Sequence, residues 1–457
     1  MTAAIFENLE SNRDQRVDRL LAYLRIASIS TEPEYADDIQ RAAEWTADQL
    51  RECGLEVAIH PSNSHPVVLG RWTDALAEAP HVLFYGHYDV QPPDPLDKWT
   101  TPPFEPTVRD GAIYARGASD DKGQVMCFIE ALRAWQQVEG TLPVRLTVMI
   151  EGDEECGSAE LDPFVEQHRD TLAADIAVVS DTAFWDHTPA ITYALRGLLY
   201  FDVKLHGPSR DLHSGVYGGT IANPMNELVK VLGRLFDADH HIAIDGFYDN
   251  VETPHAAERA EWDKLGLTDA MWARTAGMDA VWGEGGYSTL ERRWSRPSCD
   301  INGLYGGYQG AGAKTVIPTT AGAKVSFRLA ARQDPKRCAK LFRAWLEART
   351  PAGCRWEVRE FGKAEPVIVS TDSPYLAAAR RALEAGCGQP AVLVREGATI
   401  PVIGTIKNRL GIDTLLMGFG RHDDAIHSPN EKFELQQFDY GCRSHAALLG
   451  ELAKLQA

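Results

Sequence analysis

Apolar residues recur with two different periods along the first part of the chain, and the period indicates the element. Val17, Leu20, Leu21 and Leu24 fall on one helical face, as do Ile39, Ala42, Ala43, Thr46 and Leu50, a run closed by Gly54. Leu55, Val57 and Ile59 alternate as a strand does. The run ending at Gly86 is apolar enough to be a central strand, and further strands are expected at residues 144–150 and 176–180. Between the first two, Val125, Phe128, Ile129, Leu132 and Trp135 mark a helix directly after residues 120–123. Alternating helix and strand signals of this kind predict an α/β domain.

Past Gly197 the texture changes. Phe201, Val203 and Leu205 alternate with polar residues, Pro224 opens a helix expected to run to about Phe236, and an acidic, Trp-rich, weakly periodic stretch continues to about Arg296. Ala323, Val325, Phe327 and Leu329 then alternate as a strand with one exposed face, followed by a helix from Pro335 and a strand around Trp356–Val358. We read residues 197–365 as an inserted α+β domain, and residues 1–196 with 366–457 as one discontinuous domain. In its second part a helix is expected near Tyr375–Ala385, a strand at 415–418 and a last helix from about Phe433.

Length supports this division, since 457 residues exceed one ordinary core. The 65 acidic against 46 basic residues, a net charge of -19, argue against nucleic acid or an anionic membrane as partner. No run reaches membrane-span length, and residues 1–10 carry no secretory pattern. The eight cysteines are scattered without a CxxC pair, which favours free thiols in a reducing cytoplasm.

Candidate chemistry collects at the ends of the apolar runs. His87 and Asp89 follow the first, Glu154 and Glu155 the second and Asp181 the third, while Asp120 and His427 sit in loops. Strand ends hold side chains rigidly at the rim of a sheet. A pair of divalent ions about 4 Å apart needs a bridging carboxylate and a few terminal N or O ligands. His87, Asp120, Glu155, Asp181 and His427 supply two imidazoles and three carboxylates. Asp89, two residues past His87, is placed to orient its imidazole, and Glu154 is left to act as general base. Zinc suits this set, though manganese or cobalt would accept the same ligands.

Six segments occur in one order: residues 87–92 (HYDVQP), 117–123 (GASDDKG), 151–158 (EGDEECGS), 179–181 (VSD), 211–215 (DLHSG) and 427–431 (HSPNE). The series resembles the aminoacylase and carboxypeptidase G type of metallopeptidase, most closely its carnosinase-like dipeptidase branch. The resemblance implies a di-zinc aminopeptidase-like catalytic domain with a central mixed sheet flanked by helices, and an inserted lid and dimerisation domain. It further implies that His87, Asp120 and Asp181 hold one metal and Asp120, Glu155 and His427 the other, with Asp89 and Glu154 as the catalytic pair. A cis peptide is expected at Asp120–Asp121. His213 is implied to reach across a homodimer interface to the substrate carbonyl, and Arg328, Thr315 and Thr399 to contact a substrate carboxylate. The segment 303–318 is Gly-rich, but Lys314 follows Ala313, so it lacks the Gly-Lys-Ser/Thr pattern of a phosphate loop.

The expected activity is hydrolysis of a dipeptide, or a related amide with a free C-terminal carboxylate, through a hydroxide bridging two metals. The alternatives are an N-acyl amino acid deacylase using the same site and, from another class, a non-catalytic metal-binding dimeric protein. The intact Glu154, Asp89 and His213 speak against the latter.

Overall fold

The computed structural model describes residues 2–75, 78–398 and 400–455, and the chain divides into two compact units. The first comprises Met1–Tyr193, Val369–Val394 and Pro401–Ala457; the second comprises Ala194–Ile368 and Arg395–Ile400. Residues 395–400, expected in the first domain, group with the second. The reason is local: Arg395 pairs with Glu258, Glu396 with Arg293, and Arg196 Nε donates to the Gly397 carbonyl.

The centre of the first unit is a mixed sheet. Its strands Arg145–Glu151, His81–His87, Ile176–Val179 and Thr414–Leu416 run parallel, in that spatial order. Val67–Trp72 and Glu56–His60 add antiparallel at one side, and Ala190–Leu195 at the other. Val82 to Tyr85, Leu146 to Ile150 and Ile176 to Val179 are buried, as expected for strands covered on both faces. Helices Ala36–Glu52, Lys122–Glu139, Pro374–Cys387 and Leu435–Leu452 supply that cover through buried stripes. The last helix was expected from Phe433, but residues Lys432–Glu434 instead form a short strand against Ala112–Tyr114.

Register sets the level of the site. His87 lies opposite Glu151, and Tyr85 opposite Val179, so the carboxyl ends of three parallel strands stop together. Residues just beyond those ends therefore converge on the rim.

The second unit is built on an antiparallel sheet in the order Ser298–Gly306, Thr320–Leu329, Gly197–His206 and Arg355–Ala364. Phe201, Val203, Val325 and Phe327 pack against Leu228, Phe342 and Leu346 of helices Pro224–Leu232 and Pro335–Glu347. The Trp-rich, weakly periodic stretch contains three short helices, Ala256–Asp263, Asp269–Thr275 and Thr289–Trp294.

Candidate metal centre

Two groups of donor atoms meet at the rim of the first unit's sheet. One ligand atom from each of His87, Asp120 and Asp181 lies within 4.8 Å of the others, and the same holds for Asp120, Glu155 and His427. Asp120 belongs to both. Its Oδ1 lies 3.1 Å from His87 Nε2 and its Oδ2 2.9 Å from His427 Nε2, so one carboxylate turns an oxygen to each group. Glu155 Oε2 is 3.2 Å from the same His427 nitrogen.

Each side chain is placed by a local cause. His87 ends its strand, and its Nδ1 lies 3.1 Å from the Asp89 carbonyl oxygen and 3.3 Å from Asp89 Oδ1. Neither oxygen donates, so Nδ1 carries hydrogen and Nε2 is the nitrogen directed at Asp120. The Asp89 carboxylate also accepts the backbone N–H of Glu154 at 3.3 Å and of Glu155 at 3.0 Å, fixing the 3-10 turn Glu154–Cys156. Asp120 precedes the helix Lys122–Glu139, and its peptide to Asp121 is cis, as expected from the resemblance. His427 has φ 58°, a left-handed conformation costly for a residue with a Cβ and frequent at functional sites.

The electrostatics describe a concentrated buried negative charge. Burial pushes Glu154 up to about 7, only partly offset by His87 and reinforced by Glu155 and Asp120. Burial, then Asp120 and Asp121, holds Asp181 well above the usual carboxylate range. Burial also acts to raise Asp120, but hydrogen bonds from His427 and His87 outweigh it and keep its carboxyl low. The hydrogen bond to Asp120, and then the one to Glu155, raise His427 to about 10. The imidazole protons thus stand against Asp120 where a cation would stand, and the N and O donors fit a pair of divalent ions.

Four residues given no role in the sequence hold this arrangement. Ser30 Oγ donates to Asp89 at 2.6 Å, and Gln91 Nε2 donates to Glu155 Oε2 at 2.8 Å. Asp121 Oδ2 accepts the His87 N–H at 3.2 Å. Glu431 accepts the N–H of Asp120 at 3.1 Å. Gln91, Asp121 and Glu431 fall inside the quoted motifs; Ser30 carries no signal at all.

Of the remaining expected residues, His213, Thr315 and Arg328 lie in the second unit. His213 is exposed on the two-stranded ribbon of Leu212–His213 with Val316–Ile317, and its Nδ1 accepts the Gly215 N–H at 3.0 Å, leaving the hydrogen on Nε2. Thr315 adjoins it, its carbonyl accepting the Ser214 N–H at 3.1 Å. Arg328 is half-buried and sits beside Leu198 and Ser298, at the far end of the sheet from the Thr320–His206 pair that leads into the ribbon. Thr399 lies outside the described residues.

An α/β unit that gathers two N/O donor groups around one shared aspartate is of the kind that holds a pair of divalent cations. The chain belongs to the peptidase family M20/M25/M40, whose model matches residues 83–451. It is 31% identical over 469 residues to the Cys-Gly metallodipeptidase dug1 of Schizosaccharomyces pombe, covering 99% of this chain and 98% of that protein. It is 31% identical over 471 residues to the human Beta-Ala-His dipeptidase, covering 99% and 92%. The solved structure of the di-peptidase Dug1p from Saccharomyces cerevisiae superposes with a TM-score of 0.83 at 29% identity, covering 100% of this chain and 99% of that one.

Proposed function

We propose that this chain is a metal-dependent dipeptidase that cleaves dipeptides, or closely related amides with a free C-terminal carboxylate. The observation that carries the reading is Asp120, whose two oxygens face two separate donor groups with Glu154 next to one of them in sequence. The dipeptidase names of two full-length relatives support the substrate class.

In this reading His87, Asp120 and Asp181 hold one cation and Asp120, Glu155 and His427 the other, zinc being the first choice and manganese or cobalt chemically acceptable. When bound, the two cations supply Lewis acidity to the scissile carbonyl and lower the pKa of the attacking water. Glu154 takes the water proton and delivers it to the leaving amine as the general base. Asp89 acts twice, orienting His87 and anchoring the turn that carries Glu154.

Arg328 suits the substrate carboxylate because its planar fork binds it in two places. His213, with hydrogen on Nε2, is in the tautomer that donates to a developing oxyanion. Their positions toward opposite ends of the sheet support a reading in which they serve one site from two chains. Thr320 and Arg328 are eight positions apart on one strand, roughly 27 Å, whereas a dipeptide spans about 7 Å. In this reading a substrate gripped by Arg328 meets His213, and Thr315 beside it, from a second copy. Residues 197–365 then serve, in this reading, as a dimerisation element as well as a lid, and the protein acts as a homodimer. Thr399, with its hydroxyl, would complete the carboxylate contacts. Eight free cysteines, with no disulfide among them, support a cytoplasmic location. No helix among the described residues is long and apolar enough to cross a membrane.

The test is amine release from a panel of dipeptides and N-acyl amino acids, with and without chelator and with zinc, manganese or cobalt restored. Metal-dependent cleavage of dipeptides is expected. Release from acyl amino acids alone would assign the chain to the deacylases instead.

A further inference from the structure

A third group of donor atoms lies apart from the five residues assigned above. One ligand atom from each of His65, Asp153 and Cys156 lies within 4.8 Å of the other two. His65 leads into the strand Val67–Trp72, and Asp153 and Cys156 follow the strand Arg145–Glu151. Those strands are antiparallel neighbours, with Val68 opposite Ile150, so the start of one and the end of the other reach the same edge.

The three side chains are prepared for coordination. His65 Nε2 lies 2.9 Å from the Ser30 carbonyl oxygen, which only accepts, so Nε2 carries the hydrogen and Nδ1 keeps a free lone pair. Asp153 is buried, and its Oδ1 accepts Ser64 Oγ at 2.7 Å and the Cys156 thiol at 3.0 Å. Cys156 is the one exposed cysteine of the eight, so the group is open to solvent on the sulfur side. The first two groups contain only nitrogen and oxygen; this one adds a soft ligand.

We propose that His65, Asp153 and Cys156 form a third metal site, taking a thiophilic divalent cation such as zinc, cobalt or cadmium with water or an external ligand in the fourth position. Around such an ion donor atoms sit about 3.5 Å apart. The Asp153–Cys156 pair is already that close, and His65 closes the triangle. The thiol hydrogen now given to Asp153 leaves to solvent as the cation takes its place, and the carboxylate and thiolate balance the two positive charges. Asp153 and Cys156 bracket Glu154 and Glu155, so occupancy ties that loop to the strand of His65. The site does not depend on the dipeptidase reading, because it shares no ligand with it.

The full-length chain, stripped with chelator and titrated with cobalt, distinguishes the sites by colour. The N/O groups give no thiolate-to-metal charge-transfer band in the near ultraviolet, whereas a site containing Cys156 does. We expect three cobalt ions per chain and such a band in the native protein. Cys156→Ser should bind two and lose the band while keeping the visible cobalt spectrum of the N/O groups, and His65→Asn should show the same loss by a change that leaves every thiol in place. Saturation at two ions without a thiolate band, or a band of full intensity in both variants, would overturn the assignment.

Discussion

Glu431 Oε1 accepts the backbone N–H of Asp120 at 3.1 Å, which leaves both side-chain oxygens of Asp120 to face the two donor groups. The same carboxylate accepts the N–H groups of Ser119 and Gly117, each at 2.9 Å, and Arg116 Nη1 at 2.7 Å. Glu431 and Arg116 are both buried. Removing the acceptor with Glu431→Ala would strand a buried guanidinium and three amides, a loss of about 3–5 kcal/mol. In the folded fraction, kcat/KM and metal affinity should fall by about 10–100-fold, because the loop that holds Asp120 loses its anchor. Urea unfolding with steady-state kinetics checks both, and Glu431→Gln should recover part of each.

Gly418 follows the strand Thr414–Leu416, where a Cβ would lie 1.9 Å from the Thr182 carbonyl oxygen. Thr182 is the neighbour of Asp181, so the strain of a methyl group there is expected to reach the metal ligand. Gly418→Ala should cost about 3 kcal/mol or more and weaken metal binding with it. Gly404 sits in the helix Pro401–Thr405 with nothing within 4 Å of its Cβ position. Gly404→Ala should be stabilising by about 0.5–1 kcal/mol. Thermal unfolding and metal titration of the two variants side by side test the contrast.

His445 is buried against Phe84, Phe128 and Phe419, with Nε2 3.1 Å from Ser180 Oγ and no hydrogen bond at Nδ1. Burial lowers it to about 3. Between that value and the unfolded value of about 6.5 the unfolded chain binds the extra proton, so stability rises with pH across this window. The contribution is complete above pH 6.5 and is lost as the pH falls. At pH 5 the native chain should lose about 2 kcal/mol more than His445→Gln, relative to pH 7. Denaturant midpoints at the two pH values, compared between the proteins, measure it.

The proposed placement of His213 in a second copy gives a complementation test. His213→Ala and Glu154→Gln should each be nearly inactive alone. Mixed and allowed to exchange subunits, half of the dimers become hybrids, and each hybrid has one site with both residues intact. Activity should return to about a quarter of the native level. If His213 served its own chain's site, mixing would restore nothing.

The sequence carried the first unit's sheet because strands covered on both faces are mostly apolar, and residues 81–86, 144–150 and 176–180 are such runs. The donor residues were readable for the same reason, since most of them follow those runs directly. Glu431 was not, because its role depends on a contact with Asp120 across 311 positions. Nor did the period reveal helices Ala256–Asp263, Asp269–Thr275 and Thr289–Trp294, too short to repeat a pattern; the cap at Thr268 and the capping box at Ser288 are what start the latter two. The association of Thr315 with His213, away from Arg328, emerges only from strand register.

The most direct measurement is turnover of a Cys-Gly or β-Ala-His dipeptide by metal-loaded Glu154→Gln, with its metal content and substrate affinity determined on the same sample. A base of the proposed kind requires kcat to fall by about 100- to 10,000-fold while the metal content and dipeptide binding of the native protein are retained. Unchanged turnover in the fully loaded variant would contradict the account.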